Sequence, residues 1–303
     1  MSLSVTILGS SSAIPTSKRN LTAHLLNHDE RFFLIDCGEG TQMQLQRFRT
    51  KYLRINHIFI SHLHGDHIFG LFGLLSTFSM MGRKNTLHIY SPGRLKDLLN
   101  SHFAFMGETL NYQIEYHEVD AKMPEVIYDD KKITVTTIPL RHRIPCTGYC
   151  FREHPKLLNI KKECIEKYQL GVKDIVDIKQ GADFVLENGI VIPNKELTTE
   201  PVPPKSYAFC SDTKALQRIV PYIANVDLLY HETTFLNEDA KLAKATYHTT
   251  TGQAAQLALE ANVGKLVIGH LSSRYKDDNR FIKEVQDIFP NAIMAEDGMK
   301  IDI

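Results

Sequence analysis

The 303-residue chain contains no tryptophan, has no formal net charge and lacks a long uninterrupted apolar run. Its 35 lysine and arginine residues balance 35 aspartate and glutamate residues. This balance excludes a protein that binds nucleic acid through bulk positive charge, but it leaves room for a local basic groove. The longest apolar stretch, residues 68–81, is interrupted by glycine, serine and threonine and is shorter than the ~20 residues of a membrane-spanning helix. We therefore expect no membrane segment.

A cysteine framework is also missing. The five cysteines are an odd number and form no CxxC pair, which argues against a disulfide scaffold and a thiolate zinc site. Reduced, buried thiols are typical of a reducing compartment. The N-terminal MSLSVTILGSSSAIP has neither the basic start nor the long apolar core of a signal peptide. The sequence therefore predicts a cytoplasmic protein.

The composition that is present, 43% apolar and 23% charged, is typical of an ordinary globular chain. Periodicity predicts short strands alternating with helices. The strands are expected at residues 4–8, 22–26, 32–35, 57–60, 87–92, 132–139, 206–210, 226–230 and 265–270. The helices are expected at residues 40–48, 66–81, 93–103, 159–168 and 252–262, the second of them buried because it is apolar nearly all round. This order favours an α/β sandwich over one doubly wound sheet.

The segment IFISHLHGDH, residues 58–67, carries the strongest chemical signal. A β-type run leads into a turn that holds His62, His64, Asp66 and His67. The alternating His62 and His64 can share one metal ion, and Asp66 with His67 can address a second. Imidazole and carboxylate suit Zn²⁺ at ~2.0–2.2 Å. Because four ionisable groups beside buried elements are costly to leave unsatisfied, the segment predicts a metal centre.

HxHxDH resembles the signature of the metallo-β-lactamase superfamily. Further segments narrow the resemblance: LGSSSAIP, PTSKRN, DCGEGTQMQL, RHRIPC, CSDT, HETTF, YHTT and GHLSSRY. Together they resemble the short bacterial form of ribonuclease Z, the tRNA 3′-processing endoribonuclease, over essentially all 303 residues. The resemblance implies one α/β domain, a four-layer αββα metallo-β-lactamase sandwich, with an inserted tRNA-binding exosite arm at residues 151–205. It also implies a homodimer and a precursor tRNA substrate.

The resemblance further implies two Zn²⁺ ions per subunit, with Mn²⁺ as a substitute. Asp212 would bridge the two ions, one bound by His62, His64 and His142 and the other by Asp66, His67 and His270. The distant positions His142, Asp212 and His270 each follow a predicted strand. Strand ends are a rigid place from which to assemble such a site.

The implied mechanism is hydrolysis of a phosphodiester. Two bound cations would lower the pKa of a water molecule toward ~7 and so supply a hydroxide that can attack the phosphorus. Asp66 is our choice for the general base. The resemblance implies that His248 protonates the leaving 3′-oxygen and that Glu232 orients His248. The products would be a tRNA 3′-OH and a trailer with a 5′-phosphate. Spacing alone leaves two other interpretations open, namely that Glu232 is a surface acid and that His248 caps a helix.

Substrate contacts are expected from Lys18, Arg19 and Asn20, in the loop that resembles the family's PxKxRN, and from Arg274. The chain departs from the family at Ser17, which stands where the family has its lysine. The segment 151–205 lacks the family's Gly-Pro pair and holds nine basic and nine acidic residues, so it is not an obvious basic clamp. Two alternatives are another hydrolase of the superfamily, such as a phosphodiesterase or an arylsulfatase-like enzyme, and a non-catalytic RNA-binding scaffold.

Overall fold

The computed structural model describes residues 3–303. The chain divides into two compact units, one formed by the residues up to Arg152 together with Lys205–Ile303, and one formed by Glu153–Pro204. The strands are β1 (Leu3–Gly9), β2 (Ala23–His28), β3 (Arg31–Ile35), β4 (Ile55–Phe59), β5 (Leu87–Ser91), β6 (Ile114–Glu118), β7 (Val126–Asp129), β8 (Ile133–Pro139), β9 (Thr147–Glu153), β10 (Asn159–Ile160), β11 (Phe184–Val185), β12 (Val191–Ile192), β13 (Thr198–Thr199), β14 (Ser206–Cys210), β15 (Leu228–Glu232), β16 (Lys265–Gly269), β17 (Ala292–Met294) and β18 (Lys300–Asp302). The helices are α1 (Thr41–Arg47), α2 (Gly65–Ile68), α3 (Gly70–Met80), α4 (Leu95–Met106), α5 (Lys162–Tyr168), α6 (Val172–Lys179), α7 (Asn194–Leu197), α8 (Val220–Ile223), α9 (Ala240–Thr246), α10 (Thr251–Glu260) and α11 (Asn279–Gln286).

Two mixed sheets form the larger unit, each with seven strands among the described residues. The first runs β18-β1-β2-β3-β4-β5-β6 and is antiparallel up to β3 and parallel from β3 to β6. The second runs β17-β16-β15-β14-β9-β8-β7 and is parallel from β17 to β14. Parallel strands are covered on both faces, which explains the nearly continuous apolar runs of β3 and β16.

Three apolar layers hold these sheets and helices together. Between the sheets lies a layer rich in aromatic side chains, such as Phe33, Phe59 and Tyr149. The outer face of the first sheet packs against α1, α3 and α4 through residues such as Leu74. The outer face of the second sheet packs against α8, α10 and α11 through residues such as Phe281. These three apolar layers separate four layers of secondary structure, in the order helices, sheet, sheet and helices, which is an αββα sandwich.

The helix expected at residues 66–81 is broken in the structure. It forms α2 and α3, separated at Phe69. The Gly70 amide donates to the Cys37 carbonyl at 2.9 Å, and a Cβ on Gly70 would lie 2.2 Å from the Gly38 oxygen. The chain therefore approaches a neighbouring loop too closely for a continuous helix. The expected burial of this helix holds for one face, where Leu71, Leu74, Leu75 and Phe78 are buried. It is wrong for the opposite face, because Phe69 is 58% and Met80 is 78% exposed.

The smaller unit, Glu153–Pro204, has a small core of its own. Cys164, Leu170, Ile178 and Leu197 are buried there. The helix expected at residues 159–168 begins later, as α5, because β10 pairs with β13 in an antiparallel bridge before it. The unit also contains α6 and the hairpin β11–β12. This core holds the segment together without a disulfide.

All five cysteines are buried and unpaired within the described residues, as the sequence predicts. None of the helices formed by residues 3–303 combines the length and the apolar character needed to traverse a lipid bilayer.

Candidate metal centre

Strand ends of both sheets deliver the candidate ligands. In the first sheet His62 and His64 follow β4, and Asp66 and His67 lie in the first turn of α2. In the second sheet the ligand candidates follow three different strands: His142 after β8, Asp212 after β14 and His270 after β16. Contacts between their side chains show that these ends meet. The structure therefore brings together all seven residues that were expected to bind metal.

The first group consists of His62, His64, His142 and one oxygen of Asp212. The distance from His64 Nδ1 is 3.0 Å to His62 Nε2 and 3.3 Å to His142 Nε2. Asp212 Oδ2 lies 3.7 Å from Nε2 of both His62 and His142. Ligands at ~2.0–2.1 Å from a tetrahedral ion are about 3.4 Å apart. The group therefore has the spacing of a metal site.

The second group has the same spacing. Asp66 Oδ2 lies 3.4 Å from His67 Nε2 and 3.6 Å from His270 Nε2. Asp212 Oδ1 lies 3.6 Å from His67 Nε2 and 3.1 Å from His270 Nε2. Asp212 thus directs one carboxylate oxygen toward each group, which is the arrangement expected of a bridging ligand.

Buried polar atoms in this cluster lack a hydrogen-bonding partner. Within the described part of the chain, His67 Nε2, His270 Nε2 and Asp212 Oδ1 are buried without one. An unsatisfied buried polar atom is costly, so native proteins rarely contain several of them together. A cation at the second group would satisfy all three atoms, and the side chains therefore fit a bound metal.

The electrostatics of the cluster also fit a cation. Burial lowers the pKa of His62, His64 and His142, which favours the neutral imidazole that ligates metals. Burial acts in the same direction on His67, but the surrounding carboxylates, Asp66 foremost, outweigh it and raise the pKa of His67 well above its usual value. The negative charge of these carboxylates therefore favours the binding of a divalent cation at this position.

Asp36 contacts the His67 ring on the Nδ1 side, away from the metal-facing Nε2 atom. This residue was not predicted from the sequence. Its Oδ2 lies 2.7 Å from His67 Nδ1. The same carboxylate accepts hydrogen bonds from the Ser61 amide at 2.7 Å and the Ser61 hydroxyl at 2.8 Å. Such partners fix the tautomer and the orientation of a ligating histidine. The signal available in the sequence was an acidic residue directly after a buried apolar strand.

Two further histidines have partners on their Nδ1 atoms. His142 Nδ1 lies 3.1 Å from the Tyr247 carbonyl oxygen, and His270 Nδ1 lies 2.9 Å from Thr234 Oγ1. The Nε2 atoms of both rings remain directed at the cluster, where they approach Asp212. The orientation of each ring is therefore fixed before any cation binds.

The backbone at the second group is conformationally constrained. Asp36 and His270 have φ values of 56° and 59°, in the left-handed region. The preceding Gly269 has no room for a side chain, because a Cβ there would lie 2.6 Å from atoms of the Tyr230 ring. The close approach of β15 and β16 at this point sets the position of His270.

Glu232 and His248 form a buried pair beside the metal ligands. Glu232 Oε1 lies 3.0 Å from His248 Nδ1 and accepts hydrogen bonds from the amides of Thr249 at 2.9 Å and Thr213 at 3.2 Å. Its Oε2 accepts from the amide and the hydroxyl of Thr234 at 2.9 and 2.8 Å. Burial disfavours the charged form of His248, but the Glu232 carboxylate outweighs it and raises the pKa of His248 to about 9.

The two alternative interpretations of this pair are wrong. Glu232 is fully buried rather than a surface acid. Helix α10 is capped by Thr250 rather than by His248, because the Thr250 side chain accepts a hydrogen bond from the Gln253 amide. His248 is instead partly exposed to the cavity in front of the cluster.

The cavity in front of the cluster has a volume of about 470 Å³ and is lined by six of the histidine and aspartate side chains described above, His64, Asp66, His142, Asp212, His248 and His270. Two basic recesses adjoin it, one larger and one slightly smaller. One of about 670 Å³ shares His142 and Arg143 with it, and one of about 440 Å³ shares His248. An extended, negatively charged substrate could therefore cross the cluster between two basic surfaces.

Of the residues expected to contact substrate, Arg274 is close to the cluster. Its guanidinium lies 5.0 Å from the ring centroid of Phe235, which lines the cavity. Lys18 and Arg19 line a different cavity, where Arg19 pairs with Asp278 at 3.1 Å. The structure therefore does not bring this loop into the cavity that contains the cluster.

Asn20 is engaged elsewhere. Its backbone amide and its side-chain amide both donate to Asp297 Oδ2, at 2.7 and 3.0 Å. Both bonds join the loop to a segment near the C-terminal end of the chain.

Comparisons with known proteins agree with this geometry. Residues 3–154 match the model of a family described as Anti-Pycsar protein Apyc1. A protein of Bacteroides thetaiotaomicron named Ribonuclease Z is 49% identical over 98% of this chain and 94% of its own. Among solved structures, human tRNase Z, short form, has a TM-score of 0.71 with 26% identity, over 98% of both chains.

A second solved structure establishes the fold. The metallo-β-lactamase fold protein YhfI from Bacillus subtilis has a TM-score of 0.69 over 100% of both chains, with 18% identity. The expected α/β sandwich of the metallo-β-lactamase type is therefore confirmed.

Proposed function

The chain belongs to the ribonuclease Z family, which makes it an endoribonuclease, and on that premise we propose that it removes the 3′ trailer from precursor tRNA. Cleavage would leave a 3′-OH on the tRNA and a 5′-phosphate on the trailer. The observation that carries the proposal is the pair of His–Asp groups that share Asp212 beside the Glu232–His248 pair. A metal-dependent phosphodiesterase uses these two elements, a site for divalent cations and a proton donor.

The metal ions are proposed to be two Zn²⁺ per subunit, with Mn²⁺ as a substitute. One would be held by His62, His64 and His142 and the other by Asp66, His67 and His270, with Asp212 shared. When bound, such cations lower the pKa of a water molecule and stabilise negative charge on the phosphoryl oxygens.

Asp66 is proposed as the general base. Its side chain lines the cavity and is 11% exposed, so it is accessible to a water molecule there. Burial opposes ionisation, but His67 and His270 outweigh it and hold the pKa of Asp66 below its usual value. The carboxylate is therefore ionised at neutral pH and able to accept a proton.

His248 is proposed as the general acid. Its Nδ1 is engaged by Glu232 and Thr234, which leaves Nε2 as the nitrogen that can donate to the leaving 3′-oxygen. A pKa of about 9 means that the ring carries its proton at neutral pH. Glu232 is a positioning residue, because it reaches the reaction only through His248.

The RNA is proposed to lie across the two basic recesses that adjoin the cavity. The recess beside His142 is lined by four cationic side chains, Lys122, Arg141, Arg143 and Arg218. The recess beside His248 is lined by three, Lys214, Lys241 and Lys244. Phosphates on either side of the scissile bond would thus meet positive charge. Because the chain has no formal net charge, its affinity for RNA would depend on these local contacts rather than on bulk electrostatic attraction.

The loop around Lys18 is proposed as a second contact with the RNA. Arg19 and Asn20 would act by holding this loop through Asp278 and Asp297, so that Lys18 faces solvent. Arg274 would contact the RNA from the rim of the cavity, where it lies over Phe235.

The smaller unit is proposed as the tRNA-binding arm, and the enzyme as a homodimer. The unit has a core independent of the sheets and presents exposed apolar side chains, among them Val172 at 82% exposure. Because its basic and acidic residues are equal in number over residues 151–205, shape and apolar contact would contribute alongside charge. Light scattering of the purified protein measures the subunit number.

The deciding experiment is cleavage of a 3′-extended precursor tRNA with Zn²⁺ or Mn²⁺, followed by mapping of both product ends. We expect a single cut that leaves the 3′-OH and the 5′-phosphate. Asp212→Ala should lose both metal and activity, because it removes a ligand from both groups. Cleavage of small phosphodiesters with an intact precursor would instead identify another hydrolase of the superfamily. Absence of bound metal after reconstitution would identify an RNA-binding scaffold.

A further inference from the structure

A second cluster of metal-ligating side chains lies on two neighbouring strands of the first sheet. His88 of β5 is paired in register with Glu115 of β6. His117 lies two residues beyond Glu115 and is paired with Tyr90. Because side chains alternate along a strand, His88, Glu115 and His117 lie on the same face of the sheet. All of them lie outside the metal centre.

The distances among these side chains match the edges of a metal tetrahedron. His88 Nδ1 lies 3.1 Å from His117 Nε2 and 3.5 Å from Glu115 Oε2. His117 Nε2 lies 3.8 Å from Glu115 Oε1. Ligands at ~2.0–2.2 Å from a tetrahedral ion are about 3.4 Å apart. The spacing is therefore similar to that of the two groups in the metal centre.

Aromatic rings hold the two imidazoles in place. The His117 ring stacks on Tyr90 with centroids 4.3 Å apart and an interplanar angle of 11°. The His88 ring stacks on His57 at 4.9 Å and 14°. The side chains of His88, His117 and Glu115 are 28%, 32% and 51% exposed. The site is thus fixed on one side by packed rings and open to solvent on the other.

The neighbouring His57 extends the cluster into the sandwich. It is paired with His88 across β4 and β5, and its Nδ1 is buried without a hydrogen-bonding partner among residues 3–303. A neutral imidazole offers the lone pair of a ring nitrogen to a cation.

We propose that His88, Glu115 and His117 bind a divalent transition-metal ion of the zinc class, in addition to the ions of the metal centre. Two imidazoles and one carboxylate suit Zn²⁺, Cu²⁺ or Ni²⁺, whereas Mg²⁺ and Ca²⁺ favour oxygen ligands. Three protein ligands leave a fourth position for water. The ion would join β6, which ends the sheet among the described strands, to β5.

Stabilisation of this strand pair follows from binding. The three ligands come together only when β5 and β6 are paired in the observed register. A ligand that binds the folded state alone raises the midpoint of thermal unfolding in proportion to the logarithm of its concentration. The added ion therefore secures an edge strand, and cleavage of RNA does not require it.

The test is the zinc content of the reconstituted full-length protein after dialysis, measured by mass spectrometry. The wild-type protein should retain three ions per chain, two in the metal centre and one here. The double variant His88→Gln/His117→Gln should retain two and keep its RNA-cleaving activity. His102→Gln is the matched control, because this histidine packs on Phe72 away from the cluster and should leave three ions. Equal zinc content in the wild-type protein and the double variant would overturn the proposal.

A second variant keeps the proposal testable if the double variant does not fold. Glu115 is half exposed, so Glu115→Gln leaves the packing unchanged. In a titration against a chromophoric chelator, the weakest of the three zinc sites should lose affinity about ten-fold or more in this variant. An unchanged titration curve would show that the cluster is only a set of hydrogen bonds and ion pairs.

Discussion

Replacing Asp36 with asparagine tests whether the residue behind His67 controls the metal affinity of the centre. The Asp36 carboxylate is fully buried and accepts three hydrogen bonds, two from Ser61 and one from His67 Nδ1. Asparagine has the same shape but only one acceptor oxygen. In one orientation its NH₂ group would face the Ser61 amide, and in the other it would face both the His67 N–H and the Ser61 hydroxyl. Either arrangement sets a donor against a donor and weakens the hydrogen bonding that orients His67.

The size of the effect follows from this loss. Removing a hydrogen-bonding partner of a ligating histidine lowers metal affinity about 10–100-fold, or about 1.4–2.8 kcal/mol. None of the ligands, His67 included, is replaced in this variant. We therefore expect Asp36→Asn to need 10–100-fold more zinc for half-maximal cleavage, with a cleavage rate at saturating zinc close to that of the wild-type protein.

Competition between the metal-free protein and a chromophoric chelator measures the zinc affinity directly. Asp227→Asn is the matched control, because Asp227 also accepts from the amide and the hydroxyl of one serine, Ser206, at 2.9 and 2.8 Å. Asp227 precedes β15, whereas the metal ligands follow the strands. A wild-type zinc affinity in Asp36→Asn, or an equal loss in both variants, would refute the reasoning.

Two further measurements address the proton donor and the acid stability. His248→Ala should keep its bound metal and lose about 10²–10⁴-fold in kcat, because general acid catalysis contributes that much; loss of metal along with activity would contradict a role limited to proton transfer. Burial opposes ionisation of Asp130, but hydrogen bonds from the amides of Lys132 and Ile133 outweigh it and lower its pKa to about 2. The ionised form therefore stabilises the folded state fully above the ordinary aspartate pKa of about 4, and this contribution is lost as the pH falls toward 2. Asp130→Asn should flatten the acid-unfolding curve in that window, and a curve that overlays the wild-type curve would exclude the effect.

The part of the site that is contiguous in sequence was predictable from local pattern. His62, His64, Asp66 and His67 lie within six positions at a junction between a strand and a helix, so their convergence needs no knowledge of the fold. The bridging place of Asp212 has no such local signal. It depends on the two sheets meeting at their strand ends, and only the family resemblance indicated it.

The structural features that sequence reasoning missed depend on contacts between distant segments. Asp36 lies 31 positions before His67, and the break at Phe69 depends on the close approach of Gly70 to an earlier loop. The burial of Glu232 is likewise a property of the assembled sheet, where backbone amides from separate segments converge on its carboxylate. Residue type and spacing along the chain do not contain this information.

The left-handed backbone at His270 limits how this metal position can change over evolution or in redesign. Few residue types other than glycine adopt such φ values readily, and histidine, asparagine and aspartate are the enriched ones. A β-branched side chain there costs more, since the Cβ crowds the following carbonyl. The substitutions of His270 that this backbone tolerates best are therefore asparagine and aspartate, which replace the imidazole nitrogen with an oxygen ligand. Metal selectivity at the second group can shift toward harder cations without remodelling β16, whereas softer ligands have no comparably easy route.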